Sequence, residues 1–464
     1  MTKDLRSYLE LLRKNNSREL VTVKREVNPK FELSGVISKL DAEGKYPAVM
    51  FEKVKGSRFP VICNLLANRS KIALALSTCE EKLNEEFRMR AASPLSVKLV
   101  KGGPVKEIIL KGDDVNMGQF PQIIHNEKDG GPYITAGVMI ARDPETGTYN
   151  DGCYRHMIQD KTTLGIHLAE TSHATRIYSK CEEQNEPMDV AIVLGHHPAF
   201  LLGSLSFVPF GTNELEVDGG VMGENLEVVK CETSDLPVPA HAEIVIEGKI
   251  QPKERREEGP IGEYSGVYGS QRLSPRIHVT AITMRKDPIF HDLYPGGAEH
   301  ILWGGTPRLA QIYQRIRMVV PGVRDVYMPI SGCSRFICYI SMKKNMDTDP
   351  REAILAAFTA DPFLKYCIVV DPEINIFDDS KVLYAISTRV EPDRDVFLIR
   401  GCRGSPIDPT ATEGYTKDGP VRYVVTKVGI DATKPLAGYP ETINVPGAER
   451  IVLEEYLESL KITV

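Results

Sequence analysis

The first hundred residues alternate between helical and strand-like spacing of their hydrophobic side chains. Near the start, large apolar side chains recur at intervals of three and four: Leu5, Tyr8, Leu9 and Leu12. This spacing predicts a short amphipathic helix. Apolar runs at 20–23 and 48–51 predict strands, and Ser77 and Glu80 have the spacing of a capping box that opens a charged helix. The pattern predicts an α+β region.

Between about residues 104 and 284 the pattern changes to short apolar runs separated by turn residues. Four runs are strand-like: 134–140, 190–194, 242–247 and 277–282. Turn-forming residues such as those at 143–147 separate them. Many strands with few long helical segments are typical of a β-barrel or a β-sandwich.

Helical and strand-like segments alternate in the last third of the chain. Thr306 and Pro307 are typical of the N-cap and first residue of a helix, and a second helix is predicted to begin at Asp349. The apolar run at 366–370 predicts a buried strand. A final amphipathic helix is predicted at 449–460, with its apolar face on its own domain or on a second subunit.

A chain of 464 residues is too long for one compact core. We therefore predict an α+β multidomain protein with three parts. They are an N-terminal α+β domain (1–105), a central β domain (106–305) and a C-terminal α/β domain (306–464).

Composition narrows the functional class. The formal net charge of −6, without a Lys/Arg run interleaved with aromatic residues, excludes nucleic acid as a partner. No apolar stretch approaches the roughly 18 residues of a membrane span, and the first residues lack an apolar signal core. The nine cysteines are scattered and form no C-x-x-C motif, which is typical of reduced thiols. A cytoplasmic protein without a membrane association is predicted.

Two carboxylates lie on either side of a predicted sharp turn. Glu258 and Glu263 flank a Gly-Pro-x-Gly sequence, in which Pro260 fixes φ and the glycines permit positive φ. Acids on such a turn can point into one cavity, where their repulsion raises the pKa of one of them toward neutrality. The alternative interpretation is a solvated loop with two surface glutamates.

A second candidate site combines an amide, an imidazole and a carboxylate. Asn150, a histidine (His167 or His173) and Glu214 together offer oxygen and nitrogen ligands. This combination suits a divalent ion such as Mn²⁺ or Mg²⁺ better than structural zinc. Glu216 is the rival carboxylate, because alternation on a strand would place it on the same face as Glu214.

Four motifs occur in the order and spacing of a known family. They are Asn-x-Gly-x-Tyr-Arg at 150–155, the histidine at 173, Glu-Ile-Val-Ile-Glu-Gly at 243–248, and Glu-Gly-Pro-x-Gly-Glu-Tyr-x-Gly at 258–266. In these motifs, and over nearly its whole length, the chain resembles the UbiD family of decarboxylases. That family uses prenylated FMN for the reversible, non-oxidative decarboxylation of aromatic and α,β-unsaturated acids.

The resemblance implies a cofactor site. Asn150, His173 and Glu214 match the residues that hold a Mn²⁺ ion bridging to the cofactor phosphate. The segment Cys153, Tyr154 and Arg155 matches the one that lies along the flavin, and Ser172 matches a further cofactor contact. His173 fits the family spacing better than His167. In some relatives K⁺ accompanies Mn²⁺, and the sequence leaves this open.

The resemblance also implies the catalytic groups. Arg155, Glu258 and Glu263 match an Arg-Glu-Glu network with Glu263 as the proton donor. Loss of CO₂ from an aromatic ring leaves a carbanion that no amino-acid side chain delocalises, so a cofactor must take up the electrons. We expect Arg155 to orient the carboxylate, Glu263 to deliver the proton, and Glu258 to hold both in place.

Architecture and partners follow from the same resemblance. The central domain is expected to be a split β-barrel that binds the flavin, and the C-terminal domain to mediate assembly into a homodimer or homohexamer. A flavin prenyltransferase is expected to supply the cofactor, and the small-molecule partners are an aromatic acid and CO₂.

His300 and Arg308 are candidates for substrate recognition. Beside the predicted helix start, they would meet a second acidic or polar group on a flat ring, as in members that act on furan dicarboxylate. Furan-2,5-dicarboxylate or a related furan or pyrrole acid is the predicted substrate. The alternatives are a hydroxybenzoate-type decarboxylase of the same family, a plain FMN-binding redox protein, a metal-dependent hydrolase and a non-catalytic scaffold.

Overall fold

Helices and short strands alternate over the first hundred residues of the computed structural model, which describes residues 2–169, 172–416 and 419–456. The elements are α1 (Leu5–Asn15), β1 (Leu20–Val23), α2 (Glu32–Ala42), β2 (Ala48–Phe51), β3 (Val61–Cys63), α3 (Arg69–Ala75), α4 (Leu83–Ala91) and β4 (Lys98–Leu99). The four apolar side chains of α1 are buried, as their spacing predicted. The predicted capping box is wrong, because a 3₁₀ turn at Glu80–Lys82 precedes α4 and no side chain caps either element.

A closed barrel of six antiparallel strands forms the centre of the molecule. The elements of this region are β5 (Ile108–Lys111), β6 (Tyr133–Arg142), β7 (Tyr149–Ile158), β8 (Thr163–Ile166), α5 (His173–Glu183), β9 (Met188–Leu194), α6 (Pro198–Gly203), α7 (Glu214–Met222), β10 (Glu227–Lys230), β11 (Pro237–Pro239), β12 (Ile244–Glu258), β13 (Arg272–Met284) and β14 (Phe290–His291). The order is β12-β9-β6-β7-β8-β13, and pairing of β12 with β13 closes the ring. The predicted α+β fold with a central barrel is confirmed.

Strands β6 and β9 of the barrel are buried on both faces over nearly their whole length, which explains their continuous apolar runs. On β6, Met139 belongs to one core cluster, while its neighbours Val138 and Ile140 pack into a second cluster with α6 and α7. The same division occurs on β9, where Ile192 and Val193 belong to different clusters. A strand covered on two sides has no polar face, so alternation disappears from its sequence.

The last third of the described chain builds an α/β layer. Its elements are α8 (Ala298–Val319), β15 (Val323–Tyr327), β16 (Ile337–Met342), α9 (Asp349–Ala360), β17 (Tyr366–Val370), α10 (Asp379–Arg389), α11 (Pro392–Asp395), β18 (Val396–Arg403), β19 (Thr412–Thr416), β20 (Gly419–Ala432) and α12 (Leu453–Tyr456). Strands β16, β17 and β20 are parallel, and β15, β18 and β19 add antiparallel edges. The predictions at residues 349 and 366–370 are confirmed.

Helix α8 begins earlier than predicted. Gly297 is its N-cap, so Thr306 and Pro307 lie in the helix interior rather than at its start. The hydroxyl of Thr306 donates to the carbonyl of Leu302 at 2.9 Å, four residues earlier on the same helix. The Gly304-Gly305 pair before Thr306 gives the sequence the composition of a loop, which is why the predicted boundary is wrong.

The end of the chain is only partly described. Of the helix predicted at 449–460, the structure has α12, and residues 457–464 lie outside the described residues. The N-terminal sheet receives its last strand from far along the chain, because β14 pairs with β3 in parallel. Among the helices of the described residues, none combines the length and the apolar character of a membrane span.

Candidate active site

Strand β7 is partly exposed near the middle of its length. Cys153, Tyr154 and Arg155 are consecutive and partly exposed, whereas Gly152 and His156 on either side are buried. Consecutive residues of a strand point to opposite faces, so three partly exposed neighbours indicate that solvent reaches the strand here from both sides.

Arg155 joins the two carboxylates of the Gly-Pro turn. Its Nε and Nη2 donate to the two oxygens of Glu258 at 3.0 and 3.2 Å, and its Nη1 donates to Glu263. The Glu258 side chain is 0% exposed, whereas those of Arg155 and Glu263 each retain 14% exposure to solvent. The bidentate pair therefore fixes the guanidinium from behind and leaves Glu263 at the open side.

Tyr133 completes the support of Glu258, a role that no local sequence pattern predicts for it. Its hydroxyl donates to Glu258 Oε1 at 3.0 Å and accepts from the N–H of Gly259 at 3.0 Å. Gly259 has a φ of +88°, a conformation that favours glycine, so the strand can end at Glu258 and turn sharply. The predicted bend is present, and it places Glu258 and Glu263 on either side of one guanidinium.

The environment of Glu263 favours its protonated form. Burial raises the pKa of this carboxyl group, and the negative charge of Glu258 adds to the effect, while Arg155 opposes both. Burial would lower the pKa of Arg155, but the two carboxylates hold it above its ordinary value. The arrangement therefore keeps a permanently charged cation beside an acid that can carry a proton.

The structure also brings Asn150, His173 and Glu214 together. Glu214 accepts from Asn150 Nδ2 at 2.7 Å and bonds with His173 Nδ1 at 2.7 Å. Glu214 is the first residue of α7 and not part of a strand, so the reasoning that placed Glu216 beside it is wrong: residues two apart on a helix do not face each other. His167 lies elsewhere, 3.4 Å from Arg272.

Known proteins of the same architecture identify the chain. Residues 9–90, 98–298 and 301–432 match the family models for the N-terminal, Rift-related and C-terminal domains of 3-octaprenyl-4-hydroxybenzoate carboxy-lyase. The anhydromevalonate phosphate decarboxylase of Methanosarcina mazei is 37% identical over 93% of this chain and 96% of its own length. This chain belongs to the UbiD family. It is a carboxy-lyase.

Two solved structures of UbiD-class enzymes are similar over nearly the whole chain. HmfF from Pelotomaculum thermopropionicum in complex with FMN is 38% identical, with a TM-score of 0.91 over 98% of this chain and 100% of that one. An evolved dimeric form of the same enzyme in complex with prFMN is 37% identical, with a TM-score of 0.88 and the same coverage.

The residues of this UbiD-family chain fit a divalent cation beside a phosphate. Asn150 Oδ1 is buried without a hydrogen-bond partner within the described chain. This amide oxygen is therefore available as a ligand for a cation. Among the described residues, no three His, Cys, Asp or Glu side chains form a cluster suited to a metal. The set of Asn150, His173 and Glu214 contains one histidine and one carboxylate, and the amide of Asn150 is its third member. Ser172 caps α5, and the N-terminus of that 11-residue helix provides free N–H groups for an anion next to His173.

His300 and Arg308 both lie on α8, but in different surroundings. His300 Nδ1 accepts from the N–H of Gly296 at 3.0 Å, and its ring meets the Tyr264 ring edge-on at 6.1 Å. Burial, with the charges of Arg335 and Arg155, lowers the pKa of His300 to about 3, so the ring is neutral and its Nε2 carries the proton. Arg308 instead binds Asp361 at 2.6 Å. It lies in the interior of α8, so the helix N-terminus predicted beside it is wrong.

Proposed function

We propose that the protein catalyses the reversible, non-oxidative decarboxylation of an aromatic or heteroaromatic acid with prenylated FMN. The arrangement of Arg155 between a buried Glu258 and a partly exposed Glu263 supports this proposal more than any other observation. The two similar structures contain FMN and prFMN. When bound, prenylated FMN supplies the electron sink for the bonding pair that stays on the substrate carbon when CO₂ leaves.

Arg155 is suited to hold the substrate carboxylate. A guanidinium has five N–H donors. Glu258 accepts from Nε and Nη2 and Glu263 accepts from Nη1, so three of the five are used. One N–H on each terminal nitrogen is left for a carboxylate at the open side. Because Glu258 is fully buried, it acts through Arg155 as a positioning residue and does not touch the substrate.

Glu263 is suited to supply the proton. When the C–C bond breaks, CO₂ leaves without the bonding electrons, and the ring carbon must gain a proton in its place. A protonated Glu263 delivers that proton, and its raised pKa keeps a larger fraction protonated near neutral pH than for an ordinary glutamate. In the carboxylation direction the same carboxylate removes the proton.

Asn150, His173 and Glu214 are proposed to hold a Mn²⁺ ion beside the cofactor phosphate. We propose furan-2,5-dicarboxylate or a related furan or pyrrole acid as substrate, with His300 and Arg308 at its second polar group. A flavin prenyltransferase is proposed as cofactor supplier, and a homodimer or homohexamer as the assembly.

The substrate has a second candidate class. The family models are named for a hydroxybenzoate, which favours a phenolic acid. The experiment that tests the function is production with a flavin prenyltransferase, followed by the mass of the bound flavin and a screen of aryl acids for CO₂ release. Plain FMN with no CO₂ release from any acid would contradict the proposal.

Replacing Arg308 tests the substrate class. We expect Arg308→Ala to lower the ratio of kcat/KM for furan-2,5-dicarboxylate over furan-2-carboxylate by roughly 10-fold, because a charge-assisted hydrogen bond to the second carboxylate is lost. Arg315 is exposed on the same helix, so Arg315→Ala is the control. An unchanged ratio in the Arg308 variant would remove this role.

Replacing Glu214 tests the cation site. We expect Glu214→Ala to weaken Mn²⁺ binding by about 10–100-fold, because the carboxylate is the only anionic member of the set. Bound manganese is measured by metal analysis and retained flavin by absorbance after desalting. Glu216→Ala is the matched control, since Glu216 lies two residues away on α7 and faces another direction. Equal manganese content in the two variants would contradict the assignment.

A further inference from the structure

Glu263 lies on a short hairpin formed by residues 260–269, which we call the Glu263 hairpin. Gly262 and Tyr268 form an antiparallel bridge across it. The N–H of Glu263 donates to the carbonyl of Val267 at 2.9 Å within the same hairpin. Two strands joined in this way are at best marginally stable in water on their own. The position of the Glu263 carboxyl group therefore depends on the contacts that hold the hairpin from outside.

An adjoining loop holds the Glu263 hairpin from one side. This supporting loop, residues 125–132, lies just before β6 in the chain. It shares three hydrogen bonds with the hairpin: Gly262 N–H to Asp129 Oδ1 at 3.2 Å, Gly130 N–H to the Pro260 carbonyl at 2.8 Å, and Lys128 N–H to the Tyr268 hydroxyl at 3.1 Å. A Cβ at Gly130 would lie 2.3 Å from the carbonyl oxygen of Gly259. Glycine at this position therefore lets the two backbones approach closely.

Asp129 uses both of its carboxylate oxygens to join the supporting loop to the hairpin. Oδ2 accepts from the N–H groups of His125 at 3.1 Å and Asn126 at 2.8 Å, within its own loop. Oδ1 accepts from the N–H of Gly262, on the hairpin. A carboxylate can accept on both oxygens at once. Because Gly262 directly precedes Glu263, this bond fixes the backbone one residue before the proposed proton donor.

His125 fixes the supporting loop to the core of the molecule. Its Nε2 bonds to both carboxylate oxygens of Asp292 at 3.0 and 3.1 Å, and the two side chains are 0% exposed. Asp292 also accepts from the hydroxyl of Thr135 at 2.9 Å. Since Thr135 lies on β6, the loop is anchored to a strand of the barrel.

The same stretch of chain supports both carboxyl groups of the proposed site. Tyr133, at the start of β6, donates its hydroxyl to Glu258, and Asp129 holds the hairpin that carries Glu263. Proton transfer needs the acid within hydrogen-bond reach of the reacting atom. A displacement of about 1 Å can lower the rate by a factor of about 10². The hydrogen bonds of the supporting loop therefore bear directly on the reaction.

We propose that Asp129 is a positioning residue for Glu263. It holds the hairpin through the N–H of Gly262, so that the carboxyl group of Glu263 stays within reach of the carbon that loses CO₂. It does not touch the substrate. This inference rests on the proposed function and goes beyond it, because it assigns a role in proton delivery to a residue outside the Arg-Glu-Glu network.

Replacing Asp129 tests this role. Holoenzyme is assayed with furan-2,5-dicarboxylate, or with whichever acid of the aryl-acid screen releases CO₂ fastest. We expect Asp129→Ala to lower kcat about 10–100-fold and to leave KM unchanged, because Arg155 still binds the carboxylate. Exchange of the product's ring hydrogen with deuterium should fall by the same factor, since it uses the same proton transfer. Native kcat in the variant would overturn the proposal.

Asp349 is the matched control, far from the site at the start of α9. Its Oδ2 also accepts from two backbone N–H groups, those of Asn345 at 2.7 Å and Met346 at 3.1 Å. Asp349→Ala should lower thermal stability and leave kcat unchanged. Equal losses of kcat in the Asp129 and Asp349 variants would reduce the effect to a general loss of structure and overturn the proposal.

A double-mutant cycle separates positioning from an unspecific effect. In the Glu263→Gln background, Asp129→Ala should have almost no further effect on kcat, because the group that Asp129 positions no longer delivers a proton. Two independent effects would multiply instead, and that result would contradict a role of Asp129 through Glu263.

A second variant reaches the same contact without removing the carboxylate. Gly130→Ala leaves the bonds of Asp129 within its own loop but pushes the loop away from Gly259, so it should also lower kcat at unchanged KM. Gly102→Ala is its control, since a Cβ there would meet no atom within 4 Å. An unaltered kcat in Gly130→Ala would overturn the proposal even if Asp129→Ala failed to fold.

Amide hydrogen exchange keeps the inference independent of the reaction. It is measured by mass spectrometry on protein loaded with FMN. Faster exchange over the Glu263 hairpin in Asp129→Ala, with unchanged exchange over β7, supports the role of Asp129 even if no acid is decarboxylated, in which case only the proposed function fails. Unchanged exchange over the hairpin, in an enzyme that decarboxylates an acid, overturns the role of Asp129 and leaves the proposed function in place.

Discussion

Glu263→Gln is expected to lower decarboxylation by about 10²–10⁴-fold, because a general acid in this position contributes a factor of that size. Glutamine has nearly the same shape and can still accept from Arg155, so the network should keep its geometry while losing its transferable proton. Two measurements check this: the kcat of CO₂ release, and the exchange of the product's ring hydrogen with deuterium from heavy water. Native-rate exchange in the variant would exclude Glu263 as the proton donor.

The pH dependence gives an independent check on Glu263. The acid must be protonated to act, so kcat/KM for decarboxylation should fall as pH rises through its raised pKa, and the fall should be absent in Glu263→Gln. The free energy of unfolding should change with pH in the same direction as kcat/KM. A carboxyl group whose pKa is raised on folding contributes stability below its unfolded pKa and loses it as pH rises through the folded one. The variant should therefore lose less stability than wild type across that interval.

Arg155→Met is expected to lower the free energy of unfolding by about 3–5 kcal/mol and to abolish decarboxylation. The buried carboxylate of Glu258 would keep its bond from Tyr133 and lose both bonds from Arg155, and an uncompensated buried charge carries a cost of that size. Urea denaturation measures the first effect, and CO₂ release from the loaded enzyme the second.

Two further variants test whether the loss of stability in Arg155→Met comes from the unpaired charge of Glu258. Arg255 forms a partly exposed pair with Glu182 on the same barrel, and Arg255→Met should cost no more than about 1 kcal/mol. Adding Glu258→Gln to Arg155→Met removes the unpaired charge, so stability should partly return while activity stays absent. Equal destabilisation by the two single arginine variants would mean that Glu258 does not depend on Arg155.

The sequence was most informative where one local pattern determines the outcome. The helix at Leu5 and the strands at 134–140 and 277–282 follow from apolar spacing, and the turn after Glu258 follows from glycine and proline. The barrel itself needed the family resemblance, because strands buried on both faces do not reveal their partners. That resemblance also anticipated the contact of Arg155 with Glu258 and Glu263.

The errors arose where tertiary contacts override local signals. Thr306 and Pro307 have the composition of a helix start, but the glycines before them are helical and make room for Ser334 and Arg335. Alternation on a strand predicts Glu216 on the same face as Glu214, but Glu214 begins α7. Nearly every side of this helix is buried, so its sequence lacks the polar face that marks a helix.

The pairing of β14 with β3 has a consequence for how the molecule can be divided. The chain leaves the N-terminal sheet, builds the entire barrel, and then returns at Phe290 and His291 to complete that sheet beside Val61 and Ile62. In topological terms the barrel is an insertion within a discontinuous N-terminal domain. An isolated fragment that ends near residue 105 would therefore lack β14 and expose an unpaired edge at β3. A circular permutation that opens the chain between the barrel and β14 would cut the direct covalent link between them, although β14 and β3 must still pair.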